Sequence, residues 1–182
     1  MSQVTNSPQT CADDATNGSV AWANPDNAKV SDDVLATTGF GSGTGTGTSH
    51  YLKATNFGFS IPSGATINGI LVEVEKQLSY ICKDSEVKII KADGTIGTTN
   101  KADTITNWPS FGNTYVSYGG SSDLWGETWD DTKINDVDFG VAISALITKE
   151  RDGSYAYVDH IRITVYYTEV AAASTGNMFL VM

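Results

Sequence analysis

Gly69-Ile70-Leu71-Val72-Glu73-Val74-Glu75 decides the fold class. Ile70, Val72 and Val74 recur at every second position with Leu71, Glu73 and Glu75 between them. A period of two sends one set toward a core and the other toward water. A helix would place Glu73 and Val74 badly, so the stretch reads as a half-buried strand. Burying its three core-facing aliphatic side chains contributes about 1.5–3 kcal/mol each, before conformational entropy is set against it.

The alternation continues outward. Upstream, Tyr51 to Phe59 is strand-like, and Ile61-Pro62-Ser63-Gly64 places Pro second and Gly fourth in a type I turn, which predicts a strand pair around it. Downstream, Val87 and Ile89 keep the period, and Asp93-Gly94 predicts a hairpin into Thr95 and Ile96. Asn100 to Trp129 is rich in turn residues, with one strand predicted near Tyr115 to Tyr118. Asp130-Asp131-Thr132 has the chemistry to cap a helical turn through Ile134 and Asn135. Phe139, Val141, Ile143 and Ala145 then alternate with Gly140, Ala142 and Ser144. Beyond the turn at Asp152-Gly153, a long last strand puts Tyr157, Asp159, Ile161, Ile163, Val165 and Tyr167 on one face. Val158, His160, Arg162, Thr164 and Tyr166 fall on the other. About eight such strands with no long helix predict an all-β antiparallel β-sandwich. A jelly roll is preferred over an immunoglobulin-like arrangement, because the excursions at 36–50 and 100–130 suit long crossing connections.

Three segments follow from this pattern. Residues 1–18 are polar and without periodicity, and read as a flexible arm ordered only where it docks. The sandwich spans 19–168, opening on Val20 and Trp22 before the turn cluster Asn24-Pro25-Asp26-Asn27. Residues 169–182 form a linker, Ala171-Ala172-Ala173-Ser174-Thr175-Gly176, and an apolar tail, Met178-Phe179-Leu180-Val181-Met182. Gly39 to Thr48 is a low-complexity run expected to be a mobile surface loop. It has neither the Gly-Lys-Ser/Thr ending of a P-loop nor the strand-turn-helix setting of a dinucleotide fingerprint.

Composition narrows the function classes. The 182 residues carry 11 Lys and Arg against 21 Asp and Glu, a net charge of −10, which suits one domain and weighs against nucleic acid as a partner. No apolar stretch approaches the length of a membrane span, so no membrane contact is expected. The N-terminus lacks a basic segment followed by an apolar one, so synthesis in a cytoplasm is the expectation. Cys11 and Cys82 read as free thiols rather than a pair.

Catalytic signals are weak. The two histidines, His50 and His160, read as hydrogen-bonded structural residues rather than catalytic bases. No Gly-x-Ser-x-Gly, His-Glu-x-x-His or Cys-x-x-Cys occurs. A zinc site would need Cys11, Cys82, His50 and His160 gathered from afar. Asp13-Asp14, Asp32-Asp33, Asp130-Asp131, Asp136 and Asp138 could hold a loop Ca²⁺, although solvated turns account for them more simply. Glu73 and Glu75 share a face as paired catalytic acids would, yet their alternation with Ile70, Val72 and Val74 more simply marks a wet sheet face. Trp108, Tyr118, Trp125 and Trp129 cluster in one irregular region, where flat rings can stack on sugars or pack down a long loop. Packing is the preferred reading. No catalytic residue, cofactor or metal is assigned.

Further likeness lies in whole segments. Ser19 to Asp33 with Val-Ala-Trp-Ala-Asn-Pro-Asp-Asn-Ala, Tyr51 to Ile70, Tyr118-Gly119-Gly120-Ser121-Ser122-Asp123-Leu124-Trp125-Gly126 and Val158 to Tyr167 resemble a group of tailed-bacteriophage structural proteins. The resemblance covers most of 19–168, and no catalytic motif travels with it. It implies a non-enzymatic virion component that decorates the capsid through subunit contacts. The alternatives are a tail or fibre component, or a carbohydrate-binding module that contacts host glycans. Expected partners are the major capsid protein or tail proteins. Self-association into a homo-oligomer is expected, a trimer by analogy. On physical grounds Met178, Phe179, Leu180, Val181 and Met182 are expected to dock on a neighbouring subunit.

Overall fold

Ten strands form two five-stranded antiparallel sheets in the computed structural model, which describes residues 1–41, 43–110, 112–149 and 153–170. One sheet holds β1 (Ser2–Asn6), β3 (Ala36–Phe40), β6 (Thr66–Ser79), β8 (Thr114–Gly120) and β10 (Ser154–Thr168). The other holds β2 (Thr10–Asp14), β4 (Gly45–Thr48), β5 (Tyr51–Thr55), β7 (Ile81–Ile90) and β9 (Gly140–Lys149). The chain is an all-β sandwich. Ile70, Val72 and Val74 of β6 sit in its core with Ile161, Ile163 and Val165 of β10 and Val87, Ile89, Val141 and Ile143 of the facing sheet. Among the described residues no helix is long and apolar enough to cross a membrane.

Two strands organise everything else. β10 runs beside β6 along its whole length, while its other side is shared by β1 near residues 163–167 and β3 near residues 154–158. β9 lies between β7 and the pair β4 and β5, which behave as one strand interrupted at Ser49 and His50. The buried Ser49 hydroxyl fills that gap in the ladder. It accepts from the Ala145 N–H at 2.9 Å and donates to the His50 carbonyl at 2.8 Å, leaving neither backbone group stranded.

Several local expectations are corrected. Residues 2–14 are no loose arm: β1 pairs with β10 and β2 with β5, giving each sheet an extra strand. Their polarity suits strands with only one covered face, and Val4 and Cys11 supply the apolar contact. The glycine-rich run likewise enters the sheets as the end of β3 and as β4. Phe40 lies against Gly47, where any side chain would collide with its ring.

The turn after Ile61 lies one residue later than its sequence pattern suggests. The Pro62 carbonyl accepts from the Ala65 N–H at 3.1 Å, and Gly64 at the third position has φ +77°. The strands flanking it belong to different sheets, so the segment is a crossing rather than a hairpin. Phe57, Phe59 and Ile61 are buried along the way. Asp93-Gly94 does turn the chain, but only a single bridge, Ile90 to Ile96, follows.

Along β10 the two predicted faces exchange near Asp159. A bulge between Val158 and His160 inserts one extra residue, so Val158 joins Ile161 and Ile163 in the core. Ahead of the bulge Tyr157 and Tyr155 are only partly buried, with ring centroids 6.2 Å apart. The cap at Asp130 forms as expected. Its side chain accepts from the Lys133 N–H at 2.9 Å and starts α1 (Asp131–Ile134).

Candidate functional site

Three of the four aromatic residues singled out in the sequence are structural. Trp108 is 4% exposed, Tyr118 5% and Trp125 0%, so none offers a ring face to a sugar. Trp125 sits at φ +57° and donates through Nε1 to the Ile70 carbonyl at 3.0 Å, packing the excursion before α1 onto β6. The fourth, Trp129, is half-buried. Its Nε1 donates to the Leu124 carbonyl at 2.9 Å, and its ring meets Phe139 edge-on with centroids 5.2 Å apart. With the N–H satisfied internally, the ring can offer a ligand only its apolar surface.

That ring lines a cleft of about 300 Å³ with Lys91, Asp93, Glu127, Thr128 and Lys133. Lys133 is held over the helix start, its Nζ donating to the Thr128 carbonyl at 2.9 Å and lying 3.6 Å from Asp130. Asp93 is fixed by the turn it makes, accepting from the Thr95 N–H and hydroxyl. These bonds hold its carboxyl below the usual range. The cleft therefore combines one aromatic surface, two cations and two carboxylates. This mixture suits a neutral polyhydroxylated ligand better than a bare anion or cation.

A second polar constellation lies on the outer face of the β10 sheet. His160 Nδ1 shares a hydrogen bond with the Tyr115 hydroxyl at 2.7 Å, and Nε2 with the Ser7 hydroxyl at 2.8 Å. Arg162 grips Glu73 with two hydrogen bonds of 2.7 and 3.0 Å and lies over the Tyr115 ring. Glu73 is thus committed to an ion pair, while Glu75 stands opposite His160 and Tyr115. Ser7 and His160 have the spacing of a nucleophile and its base. The orienting partner, however, is a tyrosine rather than a carboxylate. Periodicity carries no signal for this contact, because Ser7 falls in the polar segment at the N-terminus and only the fold brings it beside β10.

Burial pushes the His160 pKa below the ordinary 6.5, with Glu75 opposing the shift and Arg162 adding to it. The unfolded chain then binds that proton more readily. Stability falls as pH drops below 6.5, and the loss is complete once pH is under the folded-state value. His160→Gln is expected to flatten this acid-side loss, measured as urea midpoints on either side of 6.5. An unchanged slope would refute it. Burial raises the Asp159 pKa and contributes with the opposite sign, so the comparison is between variant and parent.

The remaining candidates are dispersed. His50 Nδ1 lies 2.9 Å from Asp13, whose other oxygen accepts from the Trp22 N–H. Cys11 and Cys82 are free and buried, and burial pushes the Cys11 thiol up to about 12. Among the described residues no three His, Cys, Asp or Glu converge as metal ligands. The acidic turns spend their oxygens on the chain: Asp32 on the Val34 N–H, Asp131 on the Gly64 N–H, Asp136 on the Asp138 N–H. The tail residues Met178, Phe179, Leu180, Val181 and Met182 lie outside the described residues.

A buried ion pair went unnoticed in the sequence. Lys76 of β6 and Asp84 of β7 are each 2% exposed, with Nζ 2.5 Å from Oδ1. Asp84 also accepts from Trp108 Nε1 at 2.7 Å, the Tyr118 hydroxyl at 2.7 Å and the Asp103 N–H at 3.1 Å. Nζ lies 4.3 Å from the Trp108 ring centroid. The signal was available, since Lys76 continues the core-facing series Val72 and Val74.

No family model and no curated protein matches this sequence. One solved structure, TmCBM61 in complex with β-1,4-galactotriose, aligns over 85% of this chain and 86% of that one, at 11% identity and a TM-score of 0.31. An overlap that loose transfers neither strand order nor ligand to this chain.

Proposed function

We propose that the chain is a non-catalytic recognition module of a bacteriophage particle, a tail or fibre component that holds a host-surface glycan in the Trp129 cleft. The observation that carries the reading is that cleft: a half-buried indole whose N–H is already bonded, flanked by two acids and two lysines. Support for the virion setting is the sequence resemblance over most of 19–168. Capsid decoration, the first expectation from that resemblance, is the second reading, and it predicts contacts with capsid subunits that ignore sugars. Self-association, as a trimer or otherwise, goes with either reading.

Titration calorimetry against a panel of neutral oligosaccharides tests the proposal. Trp129→Ala, checked for retained circular dichroism, is expected to weaken binding roughly tenfold or more. Equal affinity in the variant, or no oligosaccharide bound by the parent, would exclude the glycan reading. Fixed stoichiometry on purified heads, unaffected by sugars, would then favour decoration.

A further inference from the structure

We propose that Lys76 and Asp84 become joined after folding by an amide between Nζ and Cγ, a covalent link between the two sheets beside the turn at Tyr80. The geometry assembles what such a bond needs. The amine and carboxyl are in contact at 2.5 Å, both nearly sealed from water, on strands of opposite sheets that cannot drift apart. Holding the reactants together in this way replaces a bimolecular encounter with a unimolecular step. Burial also disfavours the charged pair relative to a neutral amide. In the same sense, burial pushes the Lys76 pKa down, with Asp84 opposing it in part.

Tyr118 supplies the proton path. Its hydroxyl accepts a hydrogen bond from Nζ and donates one to Oδ2 of Asp84. Passing one proton along that path turns ammonium and carboxylate into amine and carboxylic acid. Nζ then adds to Cγ, forming the N–C bond, while Trp108 Nε1 steadies the oxygen that stays. A second proton leaves nitrogen through Tyr118 to Oδ2, the C–Oδ2 bond breaks, and one water departs. Three ammonium hydrogens become one on the amide and two in water, and the opposite charges cancel. A cavity of about 220 Å³, lined by Lys76, Asp84, Asp103, Thr106, Asn107 and Pro109 among others, gives the water an exit.

Intact mass under denaturing conditions reads the bond directly. The folded protein is expected to be lighter than its sequence by the mass of one water. Trypsin should leave Lys76 uncut, yielding residues 54–83 branched to residues 84–88. Asp84→Ala should show its full sequence mass. Tyr118→Phe should link more slowly, followed as the linked fraction over time after refolding. A parent protein at full mass overturns the proposal. So does a missing water that maps to Asp93-Gly94 or Asp152-Gly153, where backbone succinimides form. Unaltered linking in Tyr118→Phe overturns the proton path.

Discussion

Trp125→Ala is expected to lower the free energy of unfolding by about 3–5 kcal/mol, the range for deleting a fully buried large aromatic. That corresponds to a drop in melting temperature of roughly 10 °C for a domain of this size. The indole has no exposed surface and lies against the backbone at Gly119, where an added Cβ would fall 2.7 Å from Nε1. Its loss leaves a cavity and strips the Ile70 carbonyl of one donor. Alanine relieves nothing at φ +57°, a region that costs any residue with a Cβ. Trp125→Gly, which fits that backbone, is expected to be no less stable than the alanine variant. Urea titrations of both proteins decide the matter, and a cost under about 1 kcal/mol in Trp125→Ala would mean the ring closes nothing.

Legibility followed the range of the interaction. β6 was readable because its own alternation decides both faces. β9 was readable in its core-facing set, though its second face of Gly140, Ala142 and Ser144 is covered as well. The Asp130 cap was readable because its acceptor and donor are three residues apart. β1 and β2 were not readable, since their pairing with β10 and β5 is non-local and their side chains are mostly polar. The bulge at Asp159 leaves no compositional mark, yet it exchanges the faces of one end of β10. For the candidate sites the division is similar. The aromatic cluster was visible, but which ring lines a cleft depends on the crossing of the loops. Ser7 beside His160 depends on the whole chain, whereas Lys76 could have been found from period alone.

Asp84→Ala is expected to be the other severe substitution, costing about 3–5 kcal/mol, because it leaves the Lys76 ammonium without its counter-charge in a site it cannot leave. Burial of the pair is not itself evidence of net stabilisation, since two charges lose their hydration to reach each other. The test is therefore a comparison rather than a single loss. Lys76→Met with Asp84→Asn removes both charges; the amide oxygen still accepts from Trp108 Nε1, which bonds Oδ1, while the Asp103 N–H, which bonds the other oxygen, loses its acceptor. That double variant is expected to recover about 2 kcal/mol relative to Asp84→Ala. Every Asp84 variant also lacks the acid needed for the covalent link, so loss of the link and loss of the charge partner act in the same direction in Asp84→Ala. The uncompensated Lys76 charge and the hydrogen bond from Trp108 Nε1, which the amide keeps and alanine loses, distinguish it from the double variant. Equal stability of the two in urea would show that Lys76 escapes to water when unpaired, and that the seal around this end of the sandwich is looser than 2% exposure implies.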